Sequence, residues 1–206
     1  MCQSDAMLPL LIYIHGFNSS PLSQKAEKTR RYILEHRLPI DFMAPALPDC
    51  PDDVYDTLRA LIQQQGSRTM ALIGSSMGGF FATVLAAEFD LFAVLVNPAV
   101  MPHRLIRAYL GDNINPYTGA HYRLTERHLQ TLKNLTPPQP LHPHKLWLLV
   151  QTGDETLDYR DAVEYYRDCP QRIIDGGNHR FENFAQEIPA ILAFLRLPTT
   201  HSGTSE

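Results

Sequence analysis

Six short apolar runs, over residues 8–14, 40–43, 70–73, 91–96, 146–150 and 172–174, stand out along the chain. Most are rich in Leu, Ile and Val and bounded by turn residues, the pattern of strands; 146–150 reads as a buried strand and 172–174 as a short edge strand. Between them the apolar period changes to that of a helix. Leu22, Ala26, Ile33 and Leu34 recur at helical spacing, with Ser20 placed to cap that helix, Pro21 at its first position, and Leu38 and Pro39 as its stop. Residues 51–65 put Val54, Leu58, Leu61 and Ile62 on one face and meet Gly66 as a stop. Residues 80–88 read as a further helix. Near the end, Ile188, Ile191, Leu192 and Leu195 predict a last one, which Pro189 should break or kink. Strands separated by helices predict an α/β fold. Its sheet is mainly parallel and six-stranded, helices cover both faces, and the functional site lies at the carboxyl ends of the strands.

The alternation lapses over 103–144. The centre of this insert, 113–119, is rich in turn residues, and 124–135 carries Leu124, His128, Leu132 and Leu135 at helical spacing. The expectation is a helical lid above the strand ends, returned to the sheet by the stiff proline-rich segment 137–143.

Candidate chemistry sits where the runs end. The third run leads into Gly74, Ser75, Ser76, Met77 and Gly78 and then a helix, the strand–turn–helix setting of a nucleophile elbow. A serine at the tip of so sharp a turn needs small residues two before and two after it, which Gly74 and Gly78 supply. Hydrolases built on this elbow place their acid and then their histidine after the serine, past later strands. The fifth run is followed by Gln151, Thr152, Gly153 and Asp154, and the sixth by Asp175, Gly176, Gly177, Asn178 and His179. Ser76, Asp154 and His179 are therefore the expected nucleophile, acid and base. Asp158 competes with Asp154, but its position suits the N-cap of the next helix. The first run ends in His15, Gly16 and Phe17, the place for an oxyanion loop; the donors would be the backbone N–H groups of Phe17 and Met77. Gly16 lets the backbone approach substrate, and His15 is expected to brace the loop.

These segments together resemble the YqiA-like esterase family of small bacterial α/β-hydrolases. The resemblance runs through residues 15–21, the elbow, Val96 to Ala99, Asn115 to Gly119, Gln151 to Asp154 with Asp158, Tyr159 and Arg160, and Gly176 to His179. It covers about residues 8–195. It implies a compact cytoplasmic esterase acting on acyl esters and acyl-CoA thioesters, with Ser76, Asp154 and His179 at the catalytic positions.

Composition narrows the picture further. With 206 residues, 44% of them hydrophobic and 19% charged, the chain reads as one globular domain, 1–206, ending in a flexible tail over 198–206. A net charge of −4 offers no electrostatic footprint for a polyanion, so nucleic acid is not an expected partner; a small acyl ester or thioester is. Cys2, Cys50 and Cys169 are odd in number and widely spaced, which points to reduced thiols in the cytoplasm. No run approaches the roughly 20 apolar residues of a membrane span, and no charged leader precedes the first strand. No metal is expected: His142 with His144 lacks carboxylates, and His121 with His128 lacks helical zinc spacing. Serine chemistry needs no cofactor. The alternatives are an acyltransferase using the same serine and a binding protein on a disabled hydrolase frame.

Overall fold

The computed structural model describes residues 7–200. The chain opens with β1 (Leu10–Ile14), α1 (Gln24–Glu35), β2 (Asp41–Met43) and α2 (Pro51–Gln64). It continues through β3 (Met70–Ser75), α3 (Met77–Phe89) and β4 (Phe92–Val96). An insert then supplies α4 (Pro102–Ile106), β5 (Gly111–Ile114), β6 (His121–Leu124) and α5 (Glu126–Leu135). The last elements are β7 (Leu146–Gln151), α6 (Tyr159–Tyr165), β8 (Gln171–Ile174) and α7 (Ile188–Phe194).

Six of the strands form one sheet in the order β2-β1-β3-β4-β7-β8, with every neighbouring pair parallel. Each strand alternates its side chains between two cores. Leu10, Ile12, Ile14, Leu72, Leu95 and Leu148 face one core, closed by α2, α3, α5 and α6. Leu11, Tyr13, Ile73, Val94, Val96 and Leu149 face the other, closed by α1 and α7. All five residues of β1 are buried. At about 1.5–3 kcal/mol for each large apolar side chain, that burial offsets the roughly 1–2 kcal/mol per residue lost in ordering the backbone. The predicted α/β architecture is present, with helices on both faces. Among the described residues no helix is long and apolar enough to cross a membrane.

Three local expectations are corrected. Ser20 does not cap α1: its Oγ accepts from the nearer N–H of Leu22 at 3.2 Å, its carbonyl accepts from Ser23 N, and the helix begins at Gln24. Leu22 and Leu34 are consequently outside the core, and Ala26, Thr29 and Ile33 form the buried face. Pro189 neither breaks nor kinks the last helix. It lies in the first turn of α7, where a missing N–H costs no hydrogen bond.

The insert is not purely helical. Its turn-rich centre is the loop of an antiparallel hairpin, β5 against β6, shaped by Asn115, whose Oδ1 accepts from Tyr117 N and Thr118 N. The helix in its second half begins at Glu126, and Leu124 belongs to β6. His128 is not among the buried residues of that helix; its ring Nδ1 accepts from Thr125 N in a capping box. Residues 201–206 of the expected tail, and Cys2, lie outside the described residues. Cys50 and Cys169 are free thiols.

Candidate active site

Ser76 stands between the end of β3 and the start of α3 with φ 56° and ψ −123°, a combination an L-residue adopts only when its surroundings impose it. They do so here through backbone crowding. Ser76 N donates to Val96 O at 3.0 Å, and Ser76 O accepts from Gly79 N and Ala99 N. A Cβ on Gly74 would meet Ala82 Cβ at 2.7 Å and run into Gly78 O; one on Gly78 would overlap Ile14 O. The two glycines are thus required by close approach of strand, helix and neighbouring strand.

His179, in the loop after β8, reaches this serine, and Asp154, in the loop after β7, backs it. His179 Nε2 lies 3.1 Å from Ser76 Oγ, and its Nδ1 lies 2.8 and 3.0 Å from the two carboxylate oxygens of Asp154. The Asp154 side chain is 2% exposed, and its Oδ1 also accepts from Thr156 N and Leu157 N. Asp158 is elsewhere. It accepts from Arg160 N as the N-cap of α6 and pairs with the Arg160 guanidinium.

The loop carrying His179 is fastened by two buried amides that sequence reading did not single out. Asn97, at the end of β4, donates through Nδ2 to the carbonyls of Asn178 and His179 and accepts Gln151 N at 3.0 Å. Gln151 Oε1 accepts Asn178 N and Glu182 N, and its Nε2 donates to Glu182 O. Glu155 receives the His179 N–H, which holds its carboxyl below the usual range. Both lie in segments that carry the family resemblance, but a single Asn or Gln after a strand carries no periodic signal, so only contacts identify what they do.

On the other side, Gly16 comes close enough to Ser76 that a Cβ on it would stand 3.1 Å from Ser76 Cβ. Phe17 follows in this loop, and Met77 is the first residue of α3, whose N–H has no acceptor within the helix. His15 Nδ1 lies 3.0 Å from Gly16 O, consistent with bracing, while its Nε2 is buried without a partner. Burial lowers the His15 pKa. The hairpin of the insert leans on this loop: Tyr122 donates to Asn18 at 2.7 Å, and Phe17 meets Tyr109 edge-on at 5.1 Å.

Ser76 and His179 open into a cleft of about 250 Å³, bordered also by Phe17, Tyr117, Lys25 and Arg180. Among the described residues no group of three or more His, Cys, Asp or Glu side chains is placed to hold a metal. A hydroxyl, an imidazole and a dry carboxylate in series, facing a cleft beside free backbone donors, can perform nucleophilic acyl transfer.

The family described as Uncharacterised protein family (UPF0227) matches residues 10–196. Among solved structures, the α/β-hydrolase domain-containing protein 10 from mouse superposes with a TM-score of 0.69 at 14% identity, over 91% of this chain and 89% of that one. Est1E from Butyrivibrio proteoclasticus gives 0.68 at 15%, over 94% and 89%. A protein from Xanthomonas campestris, described as an α/β serine hydrolase without lid, gives 0.64 at 16%, over 96% and 86%. These likenesses identify the α/β-hydrolase fold.

Proposed function

The chain belongs to UPF0227, the YqiA family, and from that premise we propose that it is a serine esterase. The observation that carries the reading is the position of His179, within hydrogen-bond reach of Ser76 Oγ on one side and of Asp154 on the other. His179 takes the proton of Ser76 as Oγ attacks the acyl carbonyl. Asp154 orients the ring and stabilises the imidazolium. The Phe17 and Met77 amides receive the oxyanion, each worth roughly 10²–10³ in rate. The alcohol leaves with the proton held by His179, and a water deprotonated by the same ring releases the acid. Asn97 and Gln151 act as positioning residues for the base. The resemblance to YqiA-like esterases extends the substrate class to acyl-CoA thioesters, and the insert, leaning on the oxyanion loop, is read as the element that shapes the substrate side of the cleft.

The test is labelling with a fluorophosphonate and turnover of p-nitrophenyl esters of graded acyl length and of acyl-CoA. Wild type is labelled at Ser76 and turns over at least one ester, and Ser76→Ala loses both. Turnover that survives in Ser76→Ala assigns the chemistry to another group.

A further inference from the structure

We propose that the Ser76 cleft selects esters that carry an anionic group close to the scissile carbonyl, with Lys25 and Arg180 as the residues that recognise it. The inference deepens the serine-esterase reading and rests on it.

Both cations border the cleft that holds Ser76 and His179, and no Asp or Glu borders it. They come from different elements. Lys25 is in the first turn of α1, and Arg180 directly follows the proposed base. Lys25 Nζ donates to the Arg180 carbonyl at 3.1 Å, which fixes the ammonium beside the cleft and leaves it further protons to donate. Neither side chain forms an ion pair among the described residues.

The position of Lys25 is electrostatically poor in three ways. Burial is the largest, pushing its pKa down to about 8, and Lys28 and Arg180 add like charge. The third is the helix itself, because the first turn is the positive end of the dipole, where carboxylates are favoured and cations are not. The one balancing influence is the Asp154 carboxylate, which outweighs either like charge but is already committed to His179. A half-buried lysine kept in its charged form at neutral pH, against desolvation, dipole and neighbours, has an unmet demand for an anion. A carboxylate or phosphate on the substrate would meet it within the cleft that bears the nucleophile. Arg180 is exposed and would extend the same recognition to the rim.

The experiment compares matched esters that differ only in charge. For the acyl half the pair is mono-4-nitrophenyl adipate and its methyl ester. For the leaving group it is 4-acetoxybenzoate and its methyl ester, with 4-acetoxyphenyl phosphate as the phosphate arm. The readout is the ratio of kcat/KM for anionic over neutral substrate within each enzyme, so that any general loss cancels. In wild type the ratio exceeds one for at least one pair, by about tenfold, and falls as salt is raised. Lys25→Met and Arg180→Gln lower it, and Lys25→Arg restores most of it. Which pair responds locates the anion in the acyl or the leaving half.

A wild-type ratio of one or less in every pair overturns the proposal, as does a ratio unmoved by Lys25→Met. An equal loss on both members of a pair also overturns it, assigning Lys25 to the support of Asp154. In each case hydrolysis of neutral esters that disappears in Ser76→Ala leaves the esterase reading standing. If no ester is cleaved and the fluorophosphonate does not label Ser76, the esterase reading fails and takes this proposal with it.

Discussion

Replacing Asn97 by alanine tests how the site is held together, because Asn97 lies outside the cleft yet ties the loop that brings the base to the end of β7, from which the acid follows. It is 2% exposed, and Gln151, whose N–H it accepts, is 3% exposed. In Asn97→Ala that buried N–H loses its partner, which costs about 1–3 kcal/mol. Loss of the two bonds to the Asn178 and His179 carbonyls adds about 1 kcal/mol, since those carbonyls are only partly buried. Asn97 also has φ 41°, in the left-handed region, where alanine costs about 1–2 kcal/mol. The sum is about 4 kcal/mol. For a chain of this size that corresponds to a fall in Tm of roughly 8–16 °C. Thermal unfolding followed by circular dichroism measures it, and Asn97→Gly, which removes the same bonds but accepts the backbone angle, should unfold about 1 kcal/mol later than Asn97→Ala. A loosened His179 should also lower kcat/KM at 25 °C by ten- to a hundredfold, about the penalty for an ångström of misplacement. An Asn97→Ala protein that melts within 2 °C of wild type, roughly the effect of half a kcal/mol, and keeps its activity would refute the bracket.

Other predictions follow from the same geometry. Asp154→Asn should lower kcat about 10⁴-fold while leaving the fold intact, whereas Asp158→Asn should keep activity and lose only helix-cap stability, about 1 kcal/mol; steady-state kinetics beside urea unfolding separates the two. Gly78→Ala drives a methyl into the β1 backbone at Ile14 and should cost about 3 kcal/mol or fail to fold, read as a lower urea midpoint or loss of soluble protein. For His15, burial lowers the folded-state pKa below the unfolded value of 6.5, so the unfolded chain takes up the proton first. The stability this neutral ring contributes is complete above pH 6.5 and lost as pH falls below it. Tm recorded from pH 7.5 down to 5.5 should therefore drop less steeply in His15→Gln than in wild type. An unchanged slope would remove His15 from the account.

The sheet was readable because its four central strands, β1, β3, β4 and β7, are buried on both faces, so their runs are almost wholly apolar and bounded by turns. The meeting of Ser76, Asp154 and His179 was readable through chain order, since each follows a strand and the strand ends bring their side chains to one edge of the sheet. The supports of the site were not. Asn97 acts through hydrogen bonds to Gln151 and Asn178, 54 and 81 residues away, and no local pattern encodes partners that distant. The hairpin of the insert escaped for a different reason. Its strands, four residues each with exposed polar positions, have too little apolar alternation to mark them. The start of α1 was misplaced because Ser20 and Pro21 suit a tight turn as well as a helix cap.

One of the two outermost strands, β8, pairs on one side only, and none of its four residues is fully buried. Edges of this kind open first when a native protein breathes, at a free energy well below that of complete unfolding. The imidazole hangs from the loop that follows. Gentle heating should therefore silence the enzyme while most of its backbone amides remain protected from exchange, and cooling should bring it back without passage through the fully unfolded chain.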